Sequence, residues 1–240
     1  MNMLLCIGDS LTFGSIGYSY IKYLSPKLQI INKGVNGDTV CCLYKRLLSC
    51  VGNQRYAAAD TYVLAIGTND VLLPYLGKNS KLFKKQLDMR ARMKKCVLDD
   101  AEFATQYEKC IKLLRDSGKQ AILVGLPFIQ LKNYVLDDVE RKNKIIFELA
   151  QKYKMKYVDI FSLQKEEASQ TAFDAYEFSF FKSAFDMTVM AVLPFTKDSL
   201  SKRRKLELTV DGIHYNAKSA KLLADALTAC LKIMSDEPLQ

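Results

Sequence analysis

One histidine among 240 residues, His214, leaves no room for a site built from several imidazoles. No clustered ligand spacing takes its place, so a histidine-rich metal centre is excluded, although a carboxylate-bound ion is not. The seven cysteines are odd in number, Cys41 and Cys42 are adjacent, and no CxxC pair occurs, so neither a disulfide framework nor a zinc site is expected. The chain also lacks a Pro/Gly-rich linker, an internal repeat and a low-complexity tract. No apolar run approaches the roughly 20 residues of a transmembrane helix. The opening stretch, MNMLLCIGDS, has neither the basic leader nor the long apolar centre of a signal peptide. These absences predict a cytoplasmic globular protein with one domain over residues 1–240 and no stable membrane insertion. Connections too long for simple crossovers fall near 71–101 and 162–210 and are expected to be insertions: functional loops, lids or disordered segments.

What is present alternates strand and helix. Segments at 3–8, 28–34, 61–67, 120–127 and 156–161 predict five strands, and the continuous apolarity of TYVLAIG (61–67) is that of a parallel strand covered on both faces. Helical spacing appears at Tyr18, Ile21 and Leu24, and again at Val40, Leu43, Leu47 and Val51, with Asp38 or Thr39 as the N-cap. Further helices are expected near 102–116, 136–153 and 216–234. The β-α-β-α order predicts an α/β fold: a three-layer α/β/α sandwich on a mostly parallel five-stranded sheet. Ligands in such folds bind outside the carboxyl ends of the strands.

Four short segments fall at those ends or near the chain's close. In IGDSLTFGS (7–15), Ser10 stands where a buried strand turns into a helix, so its hydroxyl and the first free helical N–H groups can face one cleft; by itself this is also an ordinary capping sequence. In VNGDT (35–39), Gly37 can adopt positive φ and bring its N–H close to a ligand, as can any turn glycine. In GTND (67–70), Asn69 offers an uncharged amide donor suited to an oxyanion formed only during reaction. In DGIHYN (211–216), the Asp211 carboxylate can accept the His214 Nδ1–H, which fixes the tautomer and frees Nε2 to take a proton from a hydroxyl.

Together, GDSL at 8–11, GVNGDT at 34–39, GTND at 67–70 and DGIH at 211–214 resemble the blocks of the GDSL esterases, or SGNH hydrolases, in that family's order. The resemblance implies the flavodoxin-like fold of that family and a serine esterase cleaving O-acetyl or short acyl esters through an acyl-enzyme. Ser10 would be the nucleophile, His214 the base and Asp211 its orienting carboxylate. The Ser10 N–H, the Gly37 N–H and the Asn69 side chain would form the oxyanion hole. No metal or organic cofactor is required, and the expected partner is a small-molecule ester. Two other readings use the same residues differently: an acyltransferase working through the same acyl-enzyme, or a non-catalytic binding module for an anionic partner. A nucleotide site is not indicated, because Gly8, Gly14 and Gly17 lack the GxGxxG spacing and no P-loop lysine motif occurs.

The formal charge of +9 gathers at Lys78–Lys95 and at KRRK, 202–205. Aromatics do not alternate with these charges, so no nucleic-acid partner is expected and solvated surface is the plain reading. The segment 171–195 departs from the usual pattern of the family. Its Phe173, Tyr176, Phe180, Ala184 and Met187 recur at helical spacing. They predict core packing, a dimer contact, or a lid in which Tyr176 and Phe180 touch the acyl chain.

Overall fold

The computed structural model describes residues 3–132, 134, 136–168, 176–177, 185–186, 188–190 and 192–236. Five parallel strands form one sheet: β1 (Met3–Gly8), β2 (Gln29–Gly34), β3 (Ala59–Ala65), β4 (Gln120–Val124) and β5 (Lys156–Val158). Their order is β2-β1-β3-β4-β5. The chain therefore reverses its direction of travel across the sheet between β1 and β3, the switch point at which such sheets open a crevice.

The alternation of side chains along the strands builds a core on each face. Leu5, Ile7, Tyr62, Leu64 and Leu123 face α2 (Val40–Val51), α5 (Asp100–Asp116) and α6 (Asp137–Lys152). Leu4, Cys6, Val63, Ile122 and Val124 face the other way, against α7 (Ile160–Glu167) and α9 (Ala217–Asp236). The expected α/β/α sandwich is what the chain forms. Among the described residues, no helix is long and apolar enough to cross a membrane.

Several local expectations need correction. The stretch 71–101 is largely helical: α3 (Thr68–Asn79) carries Pro74 inside it, and α4 (Lys81–Arg92) folds back along it. The spacing at Tyr18, Ile21 and Leu24 marks a short 3-10 turn over Tyr20–Tyr23. Thr39 is the N-cap of α2 but makes no side-chain cap bond. Its hydroxyl donates to the Lys95 carbonyl at 2.7 Å, and the Asp70 carboxylate, from α3, accepts the Val40 N–H at 3.0 Å instead. A tertiary contact has replaced the local cap, which ties the end of β2 to the end of β3. Within 162–210 a further helix, α8, spans Lys197–Arg203.

Candidate active site

At the carboxyl end of β1 the chain turns directly into α1 (Ser10–Phe13). Asp9 is the N-cap: its Oδ1 accepts the Leu11 N–H at 3.0 Å. Burial raises the Asp9 carboxyl to about 6, against the opposing pull of the Leu11 N–H and of His214. This cap fixes Ser10 at the first helical position, with its hydroxyl partly open to solvent. Ser10 Oγ lies 3.0 Å from His214 Nε2, although the two residues are 204 positions apart.

His214 sits in a loop that folds around Asp211. Asp211 Oδ1 accepts the N–H groups of Ile213 (3.1 Å) and His214 (2.8 Å), and Oδ2 lies 2.7 Å from His214 Nδ1. Burial opposes charge on both groups, but their mutual attraction outweighs it. The Asp211 carboxyl is lowered below the ordinary carboxylate value, and the His214 imidazole is raised above its ordinary 6.5. With Asp211 ionised, Nδ1 carries the proton and Nε2 accepts from the Ser10 hydroxyl.

Gln130 holds this loop from behind. Its Oε1 accepts from Thr209 Oγ1 at 2.8 Å, its backbone N–H donates to the Gly212 carbonyl at 2.8 Å, and Thr209 Oγ1 in turn accepts the Gly212 N–H at 3.0 Å. From the front, Gly17 (φ +65°) packs where a β-carbon would stand 2.4 Å from the Tyr215 carbonyl and 3.0 Å from His214 Cβ. No side chain fits there. The loop carrying Gly17 is anchored by the buried Lys197, whose ammonium donates to the carbonyls of Gly14 (3.4 Å), Ser15 (3.4 Å) and Gly17 (2.5 Å).

The other side of the cleft is the turn after β2. Gly37 adopts φ +71°, the left-handed region in which glycine alone is unstrained. Asn69, buried at the start of α3, donates from Nδ2 to the Asp38 carbonyl at 2.8 Å. Its amide carries a second N–H, so that bond orients the group without exhausting it. Arg46 of α2 braces the turn: its guanidinium is paired with Asp38 and donates to the carbonyls of Lys33 (2.6 Å) and Gly8 (2.9 Å).

Ser10, Asp211 and His214 therefore come together in one hydrogen-bonded chain, and Asn69 reaches the turn of Gly37 through the Asp38 carbonyl. Arg46, Gln130 and Lys197 escaped the sequence reading because only distant contacts give them importance. Of the stripe in 171–195, Phe173, Phe180, Ala184 and Met187 lie outside the described residues. Tyr176 is buried; its hydroxyl donates to Asp186 Oδ2 at 3.1 Å and its ring lies under the Arg204 guanidinium, 5.1 Å from the centroid. Among the described residues no group of three or more His, Cys, Asp or Glu is placed to hold a metal ion.

A parallel α/β sheet with a serine on the first strand-to-helix turn, backed by a histidine and an aspartate, defines an α/β serine-hydrolase class of site. Within that class, residues 4–227 match the model of the GDSL-like lipase/acylhydrolase family, and the chain belongs to that family as a carboxylic ester hydrolase. Solved structures with the same fold include a lipase/acylhydrolase from Enterococcus faecalis, 17% identical over 100% of both chains with a TM-score of 0.58. An α/β hydrolase from the metagenome of Lake Arreo, Spain, is 18% identical over 96% of this chain and 95% of that one, with a TM-score of 0.60. An acetylxylan esterase from Geobacillus stearothermophilus is 20% identical over 95% and 93%, with a TM-score of 0.56. No curated protein matches the chain by sequence.

Proposed function

We propose that the protein hydrolyses O-acetyl or short acyl esters through an acyl-enzyme on Ser10. The observation that carries this reading is the chain from Ser10 Oγ to His214 Nε2 (3.0 Å) and from His214 Nδ1 to Asp211 Oδ2 (2.7 Å). His214 takes the Ser10 proton as Oγ attacks the ester carbonyl, and the imidazolium is stabilised by the buried Asp211 charge. The Ser10 N–H, the Gly37 N–H and the free N–H of Asn69 receive the tetrahedral oxyanion. His214 then protonates the leaving alkoxide. Water, deprotonated by the same nitrogen, attacks the acyl-enzyme, and collapse of the second intermediate returns Ser10 and releases the acid. That the Geobacillus protein is an acetylxylan esterase supports a short acyl group here.

A serine-reactive phosphonate tests the assignment directly. Peptide mass spectrometry should find the label on Ser10, with activity lost in proportion to labelling, and Ser10→Ala should neither react nor turn over p-nitrophenyl acetate. Inactivation with the label on another serine would overturn it.

A further inference from the structure

The Lys78–Lys95 cluster has no part in the chemistry just described, yet one of its members reaches the site. Arg90, in the last turn of α4, is partly buried and donates from Nη1 to the Gly37 carbonyl at 2.6 Å. Its Nη2 stands 3.0 Å, and its Cζ 4.0 Å, from the position a β-carbon on Gly37 would occupy. The carboxylate of the turn, Asp38, is ion-paired with Arg46 and is also attracted by Arg90, which makes no ion pair of its own among the described residues. Within α4 itself, five lysines and arginines (Lys81, Lys84, Lys85, Arg90 and Arg92) outnumber a single carboxylate, Asp88.

A guanidinium stays charged at any working pH, and one of its edges is fixed by the Gly37 carbonyl, so the charge is held in place before a substrate arrives. From this geometry we infer that Arg90 selects esters bearing an anionic group, a carboxylate or phosphate, close to the scissile carbonyl. This inference rests on the reading of Ser10, Gly37 and Asn69 given above. An anion on the substrate would receive Nη2 and the remaining N–H groups, while Nη1 keeps the turn in place. A neutral ester would use the same oxyanion donors and gain nothing from the charge.

The test compares kcat/KM at low ionic strength for two matched pairs. Mono-p-nitrophenyl succinate against p-nitrophenyl butyrate places the anion on the acyl side; 4-acetoxybenzoate against its methyl ester places it on the alcohol side. The wild type should favour the anionic member of at least one pair by tenfold or more. That ratio should fall toward that of a bystander charge in Arg90→Gln, persist largely in Arg90→Lys, and decline as salt is raised to about 0.5 M. A merely structural Arg90 would slow both members of a pair alike and leave the ratio unmoved. A ratio equal in wild type and Arg90→Gln for both pairs overturns the inference. Should Arg90→Gln fail to fold, the wild type decides: absence of any salt-sensitive preference in either pair overturns it equally. Loss of neutral-ester turnover in Ser10→Ala tests the underlying reading separately, so the two failures are distinguishable.

Discussion

Removing the Arg46 guanidinium while keeping its stem, as Arg46→Met does, takes away the group that joins the ends of β1 and β2 to the turn carrying Gly37. Asp38 is buried and loses its ion-pair partner, and the carbonyls of Gly8 and Lys33 lose a charged donor. Breaking a buried pair from one side typically costs about 3–5 kcal/mol, because the remaining charge is stranded. Asp38→Asn leaves a different remainder. Arg46 is about a quarter exposed, with a side-chain accessibility of 24%, and still has both carbonyls; the loss there is expected near about 1 kcal/mol. The expected signature is therefore an asymmetry, with Arg46→Met much worse than Asp38→Asn and the double variant recovering about 2 kcal/mol relative to Arg46→Met.

The pH dependence sharpens this test. Burial already holds the Asp38 carboxyl above its ordinary value despite the attraction of Arg46 and Arg90. A folded state that keeps a proton longer than the unfolded chain loses stability as pH rises through the interval between the two values. Without Arg46 that interval widens, so the deficit of Arg46→Met should be larger at pH 8 than at pH 5. Urea unfolding at both pH values, read at constant m, measures it. A deficit below about 1 kcal/mol at pH 8, or one that does not change with pH, would refute the reasoning.

Two further outcomes concern the reaction. Because Asp211 and its hydrogen bond raise His214 above 6.5 in spite of burial, kcat/KM for a neutral ester should rise with pH through one ionisation whose midpoint lies above 6.5. A pH-independent rate, or an active and folded His214→Ala enzyme, would remove His214 from the role of base. Asn69→Ala should lower kcat by about 10²–10³ with little change in KM, since its free N–H matters once charge develops on the carbonyl oxygen. A raised KM with unchanged kcat would make Asn69 a ground-state binding residue.

The strand β1 was legible because a strand covered on both faces must be apolar along its whole length, and Met3–Gly8 is. The ends of other strands were less so. The apolar run at 120–127 continues past the last paired residue, Val124, because Leu126 enters the core from a loop. The run at 156–161 stops as a strand at Val158, because Asp159 caps the next helix by accepting the Ser162 N–H at 3.1 Å. The pair α3 and α4 was hidden by opposite causes. Pro74, Gly77 and Asn79 read as helix breakers, yet Val71, Leu72, Leu73 and Leu76 bury enough surface to hold α3 together. No residue of α4 is fully buried, so its apolar pattern is faint.

For the site, legibility followed the range of each interaction. Asp211 and His214 are three residues apart and bond through a single turn, and Gly37 needs only its own backbone angle, so each could be read locally. The order of the segments then placed the first three at neighbouring strand ends, because a sheet that reverses between β1 and β3 brings the chain after β1, β2 and β3 to one crevice. Lys197 illustrates what such reading cannot reach. Nothing local marks it among the 35 lysines and arginines of a +9 chain. Its importance comes from carbonyls 180 or more positions away, which it joins so that Gly17 can press against His214. The residues that do chemistry are announced by short patterns because chemistry demands particular groups. Several of the residues that hold them are anonymous cations, and Arg46, Arg90 and Lys197 stand out from their neighbours by the backbone oxygens the fold brings to them.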